Sequence, residues 1–116
     1  MDRRRVAVTG LGLVTPLGTG VEKSWQGLVN GRSGIATITK FDSKDHTTHF
    51  AGEVKDFVIQ DFIEHREARR MDVFMHYAVA AAQMAMDGSG LKIDDANAER
   101  VGVIEASEPP AIIASA

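Results

Sequence analysis

The 116-residue chain contains no cysteine. That absence excludes disulfides, thiolate metal sites and a cysteine nucleophile. There is also no excess of positive charge. Thirteen Lys and Arg stand against 16 Asp and Glu, for a net charge of −3, whereas a nucleic-acid-binding module normally carries a basic excess. No window approaches the roughly 20 apolar residues that a membrane-spanning helix needs. The basic start Asp2-Arg3-Arg4-Arg5 resembles the opening of a signal peptide. The next residues are interrupted by Thr9, Gly10 and Gly12 instead of running as an apolar stretch. The expectation is a cytoplasmic protein with no nucleic-acid and no membrane partner.

What the chain does contain is ordinary for a folded protein. With 44% apolar and 25% charged residues, it has too much to bury for wholesale disorder. A chain of this length can bury roughly two-thirds of its unfolded surface.

Residues 4–9 read as a short buried strand ended by Gly10, followed by a glycine-rich turn through Gly18. Thr19-Gly20-Val21-Glu22 fits a capping box, with a hydroxyl at the N-cap and a carboxylate three residues later. The helix it opens carries Val21, Trp25, Leu28 and Val29 on one stripe and stops at Asn30-Gly31. Residues 32–57 read as loops with one or two short strands, the better being residues 50–54. A long helix is predicted from about Glu67 to Asp87, where Met71, Phe74, Met75, Ala78, Ala82 and Ala85 recur at helical spacing. The small side chains from Ala78 to Ala82 invite close approach by another backbone. Gly88-Ser89-Gly90 ends this helix, and a polar loop leads to a second strand candidate at residues 101–104. Strand, helix, long helix and strand together predict an α/β fold with a parallel sheet. In the tail, Glu105 to Pro110 sets charges and paired prolines where a buried strand should finish.

Several groups of residues invite a chemical reading. The Gly10–Gly18 loop follows a strand, as in dinucleotide-binding proteins, but Pro16 and Gly18 delay the helix whose N-terminus should meet the pyrophosphate. Glycines that permit tight backbone packing are the favoured reading. His46 and His49 lie three apart, but without the three or four convergent ligands of a zinc site they read as part of a solvated loop. His76 has no evident partner and reads as a packed or surface residue. None of Ser24, Ser33, Ser43, Ser89, Ser107 and Ser115 sits in a strand-to-helix elbow beside a histidine. Arg66, Arg69 and Arg70 are spaced to project from one side of a helix's first turns. Cations there oppose the helix dipole, so local helix stability does not account for the cluster. Spacing alone leaves two readings open: a docking patch for phosphate or an acidic protein, where guanidinium forks are favoured, or a solvated face partly neutralised by Glu64 and Glu67.

The run Arg4-Arg5-Val6-Ala7-Val8-Thr9-Gly10-Leu11-Gly12-Leu13-Val14-Thr15-Pro16-Leu17-Gly18 resembles the N-terminus of the β-ketoacyl-acyl carrier protein synthases, most closely type II. The likeness continues through Trp25, Gly31-Arg32-Ser33-Gly34-Ile35, Phe41-Asp42, Phe50-Ala51-Gly52 and Val54-Lys55-Asp56-Phe57. It then takes in Arg69-Arg70-Met71-Asp72, Ala85-Met86-Asp87-Gly88-Ser89-Gly90 and Arg100-Val101-Gly102-Val103-Ile104. It thus divides the chain into residues 1–104, the N-terminal part of a synthase domain, and a divergent tail at 105–116. In the tail only Ser107 agrees with the family's Gly-Ser-Gly-x-Gly-Gly turn.

The resemblance implies a thiolase-type fold, layered α/β/α/β/α in the complete enzyme and assembled as a homodimer. It implies decarboxylative condensation of malonyl-acyl carrier protein with a cysteine-held acyl group in fatty-acid elongation. In the family, basic residues at the start of this long helix contact the acyl carrier protein. Carried over by position, they are Arg66, Arg69 and Arg70, which favours the docking reading. The carrier's phosphopantetheine arm would deliver the thioester, so neither a separate cofactor nor a metal is expected. The family's cysteine, two histidines and lysine fall beyond this chain, and His46, His49, His65 and His76 match none of those positions. The chain is therefore expected to be catalytically inactive alone. The alternative is a non-catalytic fragment that docks the carrier or another partner.

Overall fold

Glycine placement near the N-terminus decides how the chain packs. In the computed structural model, which describes residues 2–104, Pro16 and Leu17 turn the chain between strands β1 (Val14–Thr15) and β2 (Gly18–Thr19). The two pair antiparallel, Val14 opposite Thr19 and Thr15 opposite Gly18. Helix α1 (Val21–Val29) comes next, and its end at Asn30-Gly31 is where the sequence places it. Strands β3 (Ile35–Thr37) and β4 (Phe50–Gly52) form a second antiparallel pair, Ile35 opposite Gly52 and Thr37 opposite Phe50. Beyond a 3-10 turn at Ile59–Asp61 come the short helix α2 (His65–Ala68) and the long helix α3 (Val73–Ser89). Gly90 closes α3 in the left-handed conformation at φ 68°, which glycine adopts without steric cost.

The seam along α3 fulfils the close-approach expectation. A Cβ on Gly12 would run into the Ala81 carbonyl, and one on Gly10 into the Ala85 carbonyl. Residues 10–12 therefore lie directly on the small-sided face of α3, running opposite to it, in a contact that larger side chains would prevent. Ala80 has no exposed surface, and with Ile63 and Ala68 it makes up the buried apolar core of the described residues.

Four expectations need correction. Residues 4–9 and 101–104 belong to no strand, and both sheets among the described residues are two-stranded and antiparallel. A strand is defined by the ladder beside it, and neither segment has one. Val6 is 87% and Ile104 98% exposed. The strand expected over residues 50–54 ends at Gly52. The capping box does not form either: Gly20 is the N-cap of α1 and no side chain caps it. Thr19 is drawn into β2, where its hydroxyl is buried without a hydrogen-bond partner among the described residues, and Glu22 instead accepts from Gln26 Nε2 at 3.4 Å. Finally, the helix expected from Glu67 is two helices, because Asp72 takes an extended conformation (φ −73°, ψ 160°) and starts α3 afresh. The tail at 105–116 lies outside the described residues.

The stripe of Val21, Trp25, Leu28 and Val29 on α1 faces outward, Trp25 being 59% exposed. The buried face of this helix is Ser24 and Gly27. Ser24 meets Thr15 Oγ1 at 2.8 Å, and Thr15 also receives the Leu17 amide at 3.2 Å. A hydroxyl network thereby fastens α1 to the β1–β2 turn. No helix among the described residues is long and apolar enough to cross a membrane.

Candidate functional site

The three arginines sit on a bend between two helices. Arg66 lies in α2, Arg69 caps its C-terminal end, and Arg70 stands in the turn beyond it. All three are exposed. The bend is held by its backbone: the Arg69 amide donates to the His65 carbonyl at 3.2 Å, Arg70 to Glu67 at 3.0 Å and Met71 to Ala68 at 3.2 Å. The expected placement on the first turns of one long helix is thus corrected, since Arg66, Arg69 and Arg70 all precede the Asp72 N-cap of α3. None of the three forms an ion pair with Glu64 or Glu67. Among the described residues the one ion pair is Lys44 with Asp42, at 3.6 Å. The guanidinium groups are left free to meet an outside anion.

His76 has a partner that its sequence position conceals. Its Nε2 lies 2.8 Å from the Ala68 carbonyl oxygen; a carbonyl only accepts, so Nε2 carries the proton. His65 Nδ1 lies 3.4 Å from Gln60 Nε2. His46 meets the Phe41 ring edge-on, with centroids 5.5 Å apart. His49 Nδ1 lies 3.4 Å from the buried Ser43 hydroxyl. A histidine does therefore stand beside a serine, yet the pair is on a loop and wider than the about 2.6–3.2 Å of an activated nucleophile.

The glycine loop is committed to packing. With Gly10 and Gly12 closed against α3, their backbone is not open to a pyrophosphate. A cleft of about 650 Å³ does lie beside the β1–β2 turn, lined by Gly18, Thr19, Lys23, Arg32, Lys55 and Asp56 among others. Its charges are mixed, and Arg32 is already engaged with the Leu17 carbonyl at 3.2 Å.

Two further features were hidden in the sequence. The Glu53 carboxylate accepts from the Thr39 hydroxyl at 2.8 Å and from the Lys40 amide at 3.0 Å. The Lys40 amide, and next the Thr39 hydroxyl, hold its carboxyl below the ordinary range. Lys40 then reaches the Tyr77 hydroxyl on α3 at 3.3 Å, and Tyr77 packs edge-on to Phe57 at 5.1 Å. Glu53 comes directly after β4, and a lone exposed-type glutamate gives no local signal of this clamp.

The comparisons with known proteins agree with one another. The model of the beta-ketoacyl synthase N-terminal domain matches residues 3–109. The 3-oxoacyl-(acyl-carrier-protein) synthase 2 of Synechocystis sp. is 47% identical over 104 residues, which are 90% of this chain and 25% of that protein. The protein of the same name from Vibrio harveyi is 48% identical over 103 residues, 89% of this chain and 25% of its own length. The chain thus spans about a quarter of the length of these relatives. Among solved structures, the ishigamide ketosynthase/chain length factor superposes with a TM-score of 0.70 at 45% identity, covering 78% of this chain and 23% of that one. Unpartnered segments and outward apolar side chains are what a portion of such a larger fold presents. The chain belongs to the beta-ketoacyl synthase family and matches its N-terminal domain.

Proposed function

We propose that this chain supplies the carrier-docking face of a type II β-ketoacyl-acyl carrier protein synthase, with Arg66, Arg69 and Arg70 receiving the acidic acyl carrier protein. The observation that carries the proposal is the exposed arginine bend, unneutralised by any ion pair among the described residues. Guanidinium groups held this way favour bidentate hydrogen bonds with carboxylates. In the complete enzyme the activity is decarboxylative condensation of malonyl- and acyl-carrier protein to the 3-oxoacyl product, in fatty-acid biosynthesis. There the chain forms part of a thiolase-type layered α/β fold in a cytoplasmic homodimer, and the substrate arrives on the carrier's phosphopantetheine arm with no other cofactor. A thioester must pass to an activated nucleophile beside oxyanion donors. This chain has no cysteine to serve, so alone it binds without condensing.

Adding unlabelled acyl carrier protein to isotope-labelled chain tests the docking. Amide shifts should concentrate at residues 65–72, and malonyl- plus acyl-carrier protein should yield no 3-oxoacyl product. Shifts confined to α1 would overturn the docking assignment, and product formation would overturn the inactivity.

A further inference from the structure

We infer that His76 is a positioning residue: it fixes the bend that presents the arginines. The inference rests on the docking reading for its functional meaning, but its geometry stands by itself. The four residues from Arg69 to Asp72 connect α2 to α3 and carry two of the three arginines. His76 holds both ends of this connection. Its backbone amide donates to the Asp72 carbonyl at 3.2 Å, where α3 begins. Its side chain, one turn into α3, reaches back with Nε2–H to the Ala68 carbonyl at 2.8 Å, where α2 ends. That carbonyl is freed by the end of α2 and would otherwise have only the Met71 amide, at 3.2 Å.

The anchor is firm at both points. Ala68 is 4% exposed, so its carbonyl stands on one of the few buried residues. The imidazole is itself partly buried, on a helix whose far half is pressed under residues 10–12. A hydrogen bond to such a group holds best when water cannot replace it. Among the described residues the arginine side chains make no hydrogen bond or ion pair that would order them, so the rigidity of the bend sets where their charges stand. Glutamine in place of His76 keeps a side-chain N–H of similar reach, whereas leucine keeps the bulk and loses the donor.

The test compares native chain with His76→Leu and His76→Gln. The imidazole ¹⁵N spectrum of the native chain should show the neutral ring protonated at Nε2. Amide exchange at Arg69, Arg70 and Met71 should quicken about tenfold in His76→Leu and stay within about twofold of native in His76→Gln, with α1 unchanged in both. Affinity for acyl carrier protein should fall several-fold in His76→Leu and recover in His76→Gln. The assignment is overturned by a ring protonated at Nδ1, by unchanged exchange at 69–71 in His76→Leu, by glutamine failing to rescue, or by protection lost across α1 and α3 alike. A carrier that binds the Arg66, Arg69 and Arg70 triple alanine variant as tightly as native chain removes the docking reading. The tautomer and exchange results still decide the role of His76.

Discussion

The two ends of α3 are built on opposite terms. Toward its C-terminus the helix disappears under residues 10–12, in a seam so close that glycine is required opposite Ala81 and Ala85. At its N-terminus an exposed bend holds arginines that touch no acid within the described residues. The first end contributes to folding through that seam. At the second, the backbone rests on buried Ala68, while the exposed arginine side chains contribute little to folding. A side chain's cost on removal should therefore depend on which end of one helix it serves.

The sharpest way to break this contrast is to crowd the seam. Gly12→Ala places a methyl group against the Ala81 carbonyl, and the backbone rather than a flexible side chain must yield. Denaturant melts should show a loss of about 3 kcal/mol or more; a loss under about 0.5 kcal/mol would show that residues 10–12 are not seated on α3. A smaller effect is expected at the hydroxyl network behind the seam. Ser24→Ala removes the partner of Thr15 at a site 2% exposed and should cost about 1 kcal/mol in the same melts.

Smaller again, and local, is the Glu53 clamp. Its folded carboxyl lies below the ordinary value of 4.5, so its contribution is complete above about that pH and is lost as pH falls through the lowered value. The Thr39 and Lys40 amide resonances should move together in that acidic window and be pH-independent there in Glu53→Gln. A step at or above pH 4.5 would mean that the clamp does not hold the carboxylate. The smallest effect on folding belongs to the other end of α3: alanine at Arg66, Arg69 or Arg70 should shift stability by no more than about 0.5 kcal/mol each. A larger loss would make the bend a structural feature after all.

Features fixed by neighbouring residues were legible in the sequence. Asn30-Gly31 and Gly88-Ser89-Gly90 end helices because each supplies its own termination locally. The close approach to the alanines of α3 was legible from side-chain size alone. Residues 4–9 and 101–104 look like strands but have no ladder among the described residues, because pairing is decided by distant sequence. Thr19 looked like a cap, yet the adjoining hairpin claimed it. Spacing and resemblance single out Arg66, Arg69 and Arg70, but the break at Asp72 that turns their helix into a bend has no mark in the sequence. His76 gives no sign in the sequence because its partner is a backbone carbonyl eight residues away across that bend, and every residue has a carbonyl.

The central claim is that the arginine bend receives an acidic carrier protein. Titration of acyl carrier protein into the native chain and the Arg66, Arg69 and Arg70 triple alanine variant, at about 50 and 200 mM salt, tests it most directly. The account predicts native binding that weakens as salt rises, at least about tenfold weaker binding in the triple variant, and a flatter salt dependence there. Equal affinities for the two proteins, or native binding indifferent to salt, would contradict it.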